Sequence, residues 1–204
     1  MDQILSMDRR ALMQHALLLI GATAVAGCDW MPGSNRAAQL NARQLAMLDS
    51  FAATLIPKTN TGGAVEAGVP KQLAQMYTDW ASEKTRTDLS GALDRLDAAA
   101  KKATGKGFAE LDAGKRHTFL ITHDLAALKD VPPPKDAPKG NPFAPLVSVA
   151  DLGYHRLKQL TAVLYYASKL ALTEELEYQH VPGGWTASVK VTPKTRPAIS
   201  FGAF

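Results

Sequence analysis

The side chains of this 204-residue sequence with most capacity for chemistry are its histidines, one cysteine, a tyrosine pair and a carboxylate run at Glu174, Glu175 and Glu177. His117 and His123 are six residues apart, which puts them about 240° around a helix from each other, so they cannot form an i, i+4 metal pair. His117 and Asp124 share one helical arc, two turns apart, and a satisfied buried hydrogen bond or a subunit contact accounts for them more simply than catalysis. The carboxylate run falls at a helix end, where a solvated face is the default. A proton relay through Tyr165 and Tyr166 would need both rings on one side. One lies beside an apolar stripe and the other opposite it, as expected for packing plus a contact surface. "GKG" at Gly105 lacks the third glycine and the βαβ surroundings of a dinucleotide loop, and reads as a helix-ending turn. No "GxSxG" elbow is present. His155, Tyr166 and Glu174 are the set on which an autonomous enzyme would have to build a polar pocket. No catalytic, cofactor-binding or metal-ligating residue is assigned.

Cys28 is the chain's one cysteine. It excludes an internal disulfide, a multi-cysteine zinc site and a "CxxCH" haem attachment. Its position has another meaning. In "MDRRALMQHALLLIGATAVAGCDW", Met7 to Trp30, Arg9 and Arg10 form a positive n-region, Ala16 to Ala26 form an apolar run, and small residues precede the cysteine. This is the anatomy of an export signal, with an apolar stretch too short for the ~20 residues of a membrane span. "VAGC" resembles a bacterial lipobox, in which cysteine is acylated after cleavage; ordinary cleavage nearby is the alternative. "DRRALMQ" resembles a twin-arginine signal, which exports folded proteins, although Asp8 and Gln14 depart from it. A general secretory signal with two incidental arginines is the rival. The expected organisation is a signal peptide over 1–27, a linker over 28–40 and a helical domain over 41–204.

Removing residues 1–27 takes away two arginines and two aspartates, so the net charge stays at +4. That mild basicity suits an envelope protein near anionic lipid or an acidic partner surface. No cluster of Lys and Arg interleaved with aromatics points to nucleic acid.

The elements that must position these side chains follow from periodicity. Apolar residues recur every three to four positions over Asn41–Ile56, where Pro57 stops the run. A second helix opens at Pro70 with Leu73, Met76, Tyr77 and Trp80 on one side. A third covers Glu83–Ala103 with Leu89, Leu93, Leu96 and Ala100. A fourth covers Asp112–Lys129 with Leu120, Ile121, Leu125 and Leu128 inward. "DVPPPKDAPKGNPFAP", Asp130 to Pro145, holds six prolines and predicts an extended surface connection, either a spacer or a partner-binding arm. Leu146 to Glu177 carries the longest apolar arc and predicts a long central helix. Gly153 within that arc predicts close approach of another helix. "VPGGWTASVKVTPKTRPAISFGAF" reads as a turn and extended strap. The fold class is therefore all-α, a small domain of about five helices with a central long helix, a Pro-rich connection and a C-terminal strap.

Four segments carry a family resemblance: "LDSFAATLIPKTNTGGAVEAGVPKQLAQMY" (Leu48 to Tyr77), "GALDRLDAAAKKATGKGFAELDAGKRHTFL" (Gly91 to Leu120), "LKQLTAVLYYAS" (Leu157 to Ser168) and "LEYQHVPGGWTASV" (Leu176 to Val189). Together the sequence resembles the gluconate 2-dehydrogenase subunit 3 family, with the "IPxTxTxGAxEAGV" loop its most specific part. The resemblance implies a non-catalytic small subunit of a flavin-dependent sugar or alcohol dehydrogenase of the glucose-methanol-choline type. It implies a large flavoprotein partner holding FAD, no cofactor in this chain, and a place in the periplasm at the membrane. It leaves a cytochrome c subunit open as a further partner. The small subunit would stabilise the large one and carry its export signal, with Arg9 and Arg10 as the signal and Cys28 as the lipidation site. The two extended stretches supply the expected partner-binding residues: Thr59, Thr61, Val65 and Val69 from the loop, Pro182, Trp185 and Val189 from the strap, with Tyr166 beside them. An envelope lipoprotein acting as a binding module, or an enzyme in its own right, are the alternatives.

Overall fold

The computed structural model describes residues 39–133, 135, 147–178, 184 and 188–199. They all belong to the compact unit Ala37–Phe204. Arg9, Arg10, Cys28, Pro182 and Trp185 lie outside the described residues, as does nearly all of the Pro-rich stretch.

Five α-helices are present among the described residues: α1 (Ala42–Leu55), α2 (Val69–Asp79), α3 (Glu83–Thr104), α4 (Ala113–Ala127) and α5 (Leu152–Tyr166). Four of them start on a side chain that accepts an otherwise orphaned backbone N–H. Asn41 accepts from Gln44, whose own amide oxygen accepts from the Asn41 N–H. Ser82 accepts from Thr85, Asp112 from Lys115 and Asp151 from Tyr154. For α2 the device differs: Gly68 takes φ +75°, a left-handed turn that glycine adopts without strain, and Pro70 sits in the first turn. Gly105, at φ +77°, ends α3 in the same way. A 3-10 turn at Phe108–Glu110 joins α3 to α4.

The core is built from Met47, Leu48 and Phe51 of α1, Leu73 and Tyr77 of α2, Leu89, Leu93 and Leu96 of α3, and Tyr154 and Leu157 of α5, with Phe108 from the 3-10 turn. Each such side chain contributes roughly 1.5–3 kcal/mol by leaving water. Phe51 and Tyr154 meet edge to face with centroids 5.9 Å apart. The helices foreseen in α1, α2 and α3 are thus in place, with their boundaries within a residue of those expected. Leu40, expected in the linker, is already buried in the core.

Two expectations about later helices need correction. On α4, Leu120 is buried but Ile121 and Leu125 are exposed, because the stripe that meets the core is carried by Leu120, His123, Ala127 and Leu128 instead. The predicted long helix from Leu146 to Glu177 is shorter: α5 has 15 residues and α3, with 22, is the longest. Its start is delayed because Val149 pairs with Asp130 in an antiparallel bridge and Asp151 is spent as the N-cap. Its end comes early because the Ser168 hydroxyl accepts the Ala171 N–H, competing with the helical ladder. A π-turn, Ala171–Glu175, follows. Leu164, Ala171 and Leu176 remain buried, so one apolar period is shared by two separate elements. The strap is exposed at Val189 and Val191. It returns to form a two-residue parallel pair, β1 (Glu177–Tyr178) with β2 (Ala198–Ile199).

The close approach foreseen at Gly153 is real. A Cβ there would stand 2.4 Å from the Asp88 carbonyl oxygen of α3, a backbone atom that cannot step aside. The same crossing is fastened by Arg95, which donates twice to Asp151 at 2.7 Å. Gly153→Ala should therefore lower the unfolding free energy by about 1–3 kcal/mol, overpacking outweighing the helix-propensity gain of ~1 kcal/mol. Urea unfolding followed by circular dichroism measures it.

Candidate functional site

The loop between α1 and α2, residues 56–68, is held from three directions. Its own backbone closes it: Ala64 donates to Ile56, Ala67 to Gly63 and Val69 to Ala64, each at 3.0 Å. The fold is so tight that a Cβ on Gly63 would lie 2.6 Å from both the Ile56 oxygen and the Lys58 nitrogen. Glu66 accepts from the Gly63 N–H at 3.0 Å. From α5, the Tyr165 hydroxyl donates to the Gly62 carbonyl at 2.8 Å. From the π-turn, Glu175 accepts from the Thr61 hydroxyl at 2.6 Å and Glu174 accepts from the Gly62 N–H at 3.1 Å.

Burial, helped by the charge of Glu175, pushes the Tyr165 phenol up, which keeps it a hydrogen-bond donor to Gly62. Arg196 of the strap donates to the Thr173 and Glu174 carbonyls at 2.9 and 3.3 Å, and the Glu177 N–H donates to Pro197. Loop, π-turn and strap are therefore linked into one surface by polar bonds.

Among the described residues no three His, Cys, Asp or Glu side chains are grouped to hold a metal ion, and no helix is long and apolar enough to cross a membrane. Val65 and Tyr166 are partly exposed apolar or aromatic groups on that surface.

The sequence profile of the gluconate 2-dehydrogenase subunit 3 family matches residues 42–183, from the first residue of α1 past β1. The chain belongs to this family. No curated protein and no solved structure matches it. Membership makes the protein a gluconate 2-dehydrogenase subunit 3-like accessory protein, and a dehydrogenase subunit implies a partner complex.

The residues expected at the partner interface of this subunit 3 protein divide into groups. Thr59, Val65, Tyr166 and Val189 are exposed. Thr61 is turned inward to Glu175, so its hydroxyl builds the loop instead of facing out. Val69 is fully buried and belongs to the subunit's own core, because the first turn of α2 packs its apolar face inward. Pro182 and Trp185 lie outside the described residues. Glu174 and Glu175, read from sequence as a solvated helix end, are loop clamps. Nothing local in the sequence signals this, since their partners lie more than a hundred positions away.

The set His155, Tyr166 and Glu174 does not converge. His155 and Tyr166 stand on the first and last turns of α5, about 16 Å apart along its axis, and Glu174 is occupied by Gly62. His117 and Asp124 do line one small cleft of about 150 Å³ with Thr54, Ile121 and Lys158. Asp124 is satisfied by the Lys158 ammonium at 2.7 Å and the Tyr154 hydroxyl at 3.1 Å, but it is only partly buried and His117 is exposed, so the two do not share a buried bond.

His123 sits deeper in the same cluster. Its ring stacks on Phe119 with centroids 5.7 Å apart and meets the edge of Tyr154 at 4.9 Å. Its Nε2 is buried without a hydrogen-bond partner. Burial holds the imidazole below its usual range, against the opposing pull of Asp151 and Asp124. Between that lowered value and about 6.5 the unfolded chain binds more protons than the folded one, so this group's contribution is lost as pH falls through that window. Thermal unfolding between pH 7 and pH 5 should show a melting temperature that falls with acidification, and His123→Phe should flatten that part of the profile. An unchanged slope in the variant would remove His123 as its source.

Proposed function

We propose that this protein is the non-catalytic small subunit of a periplasmic or membrane-bound FAD-dependent sugar or alcohol dehydrogenase of the glucose-methanol-choline type. It binds the catalytic flavoprotein, stabilises it, and carries it through the twin-arginine export route. The observation that carries this reading is the family match over residues 42–183. The clamped loop with Val65 and Tyr166 exposed beside it supports a docking role, as does the lack of a convergent polar pocket around His155, Tyr166 and Glu174.

FAD needs a folded host, so a flavoprotein loaded in the cytoplasm must cross the membrane folded. A small subunit docked to it presents one signal for both, with Arg9 and Arg10 in the n-region. After cleavage, acyl chains on Cys28 hold the complex at the membrane, each buried methylene contributing about 0.8 kcal/mol. The subunit itself holds no cofactor; flavin stays with the partner.

Two measurements test this. The separately purified subunit should be colourless, and a stoichiometric flavin on it would sink the accessory role. Changing both Arg9 and Arg10 to lysine keeps the positive n-region that a general secretory signal needs. Under the twin-arginine reading it strands both subunits in the cytoplasm, the large one loaded with FAD and active. Cell fractionation with a dye-linked dehydrogenase assay reads the outcome: normal membrane activity rejects the twin-arginine route. Export of the large subunit in cells lacking this protein rejects the carrier role.

A further inference from the structure

A groove runs between α2 and α5 on a face that the clamped loop does not occupy. Leu73, Met76, Tyr77 and Trp80 line one side, Leu160 and Leu164 the other, and the start of α3 closes one end; its volume is about 370 Å³. Tyr77 and Leu164 form a buried floor, whereas Trp80 on the rim is 84% exposed and Met76 is 38% exposed. An indole left this open at the C-terminus of a helix is a large apolar surface without cover.

The chemistry of the walls narrows the occupant. No residue lining the groove carries a charge. Several of the charges that border it are engaged within the chain: Arg86 donates to the Tyr77 and Thr78 carbonyls at 2.9 and 2.8 Å, and Asp88 is shared by Arg156 and Lys84 at 2.8 and 3.1 Å. The groove therefore matches an apolar, uncharged segment. The groove follows α2 from Leu73 to Trp80, about 10 Å, which suits about two turns of a helix laid in with apolar residues at i, i+3 or i+4, and i+7.

Area separates a second copy from a different subunit. A Trp side chain covers roughly 150–250 Å², and a groove of this length buries a few such areas, well short of the ~800 Å² per partner of a standard interface. Two copies joined here alone would lack the area for a stable dimer. A partner already held at other parts of this chain would use the groove as an anchor pocket, and the family of dehydrogenase subunits to which the chain belongs implies such a partner. We infer that the α2–α5 groove receives an apolar, uncharged helical segment of the catalytic dehydrogenase subunit, with Trp80 as the principal contact. This inference rests on the reading of the chain as a small subunit of that complex.

The test places p-benzoylphenylalanine at position 80 of the full chain in its native host, purifies the complex, irradiates it and identifies the crosslinked peptide by mass spectrometry. The expected product is an apolar stretch of the flavin-bearing subunit. In parallel, Trp80→Glu should leave thermal unfolding of the isolated subunit unchanged, because the side chain is exposed. It should lower the flavin recovered with the purified chain by about tenfold or more, as loss of an interface anchor does. Met76→Glu should act in the same direction. Crosslinking to a second copy or to this chain's own strap overturns the assignment, as does wild-type flavin recovery with Trp80→Glu. In those cases flavoprotein still copurifies and the subunit reading stands. Wild-type chain that recovers no flavoprotein overturns both.

Discussion

At Gly153 the backbone of α5 comes so near the Asp88 carbonyl of α3 that no side chain fits between them, and the remainder of the domain is arranged around that contact. Close approach lets Tyr154 and Leu157 reach the core, where both are fully buried and Tyr154 meets Phe51 of α1. The crossing is locked at its edge by Asp151, which caps α5 and pairs with Arg95 at the same time. Burial alone would raise the Asp151 carboxyl, but the Arg95 guanidinium and the Tyr154 N–H outweigh it and hold it below the usual carboxylate range. One carboxylate thus fixes where α5 begins and which helix it lies on.

A second buried carboxylate does similar service on the other side of α3. Asp97 accepts from the Phe108 N–H at 2.8 Å and pairs with Arg43 and Lys101. Burial pulls its carboxyl upward, while Lys101, the Phe108 N–H and Arg43 pull it down, and the net effect is downward. A buried charge is tolerated only when paired and hydrogen-bonded. Asp97 meets that condition by tying α1, α3 and the 3-10 turn together.

With α5 placed, its C-terminal turn determines the loop. Tyr165 reaches Gly62, and the π-turn that follows delivers Glu174 and Glu175 to the same backbone. A loop held by donors and acceptors from elements distant in sequence has lost most of its freedom before any partner arrives. That lowers the ordering cost of association. The uncharged groove along α2 is equally preformed, its floor being part of the core. Rigidity of this kind is what the proposed docking role would use.

The sequence by itself determined the helical class, the first three helices and the family. Breakers and apolar period are local signals: Pro57 and the "GKG" turn at Gly105 mark boundaries without reference to anything distant, and Gly153 announced a close contact by its position in an apolar arc. The "IPKTNTGGAVEAGV" loop likewise carried the family on its own residues. Tertiary structure decided what those signals met. Period alone could not tell one helix from two elements sharing a buried side, because Ser168 and Asp151 interrupt the ladder by bonds to backbone that a hydrophobic pattern does not encode. Nor could it tell which apolar residues stay outside: Ile121, Leu125 and Trp80 fit an inward stripe by spacing and are exposed, since the neighbouring helices do not reach them. Glu174 and Glu175 looked like a solvated helix end until folding brought residues 61 and 62 within hydrogen-bond range. Spacing along the chain encodes contacts within a turn or two; contacts across a hundred residues exist only after the helices have packed.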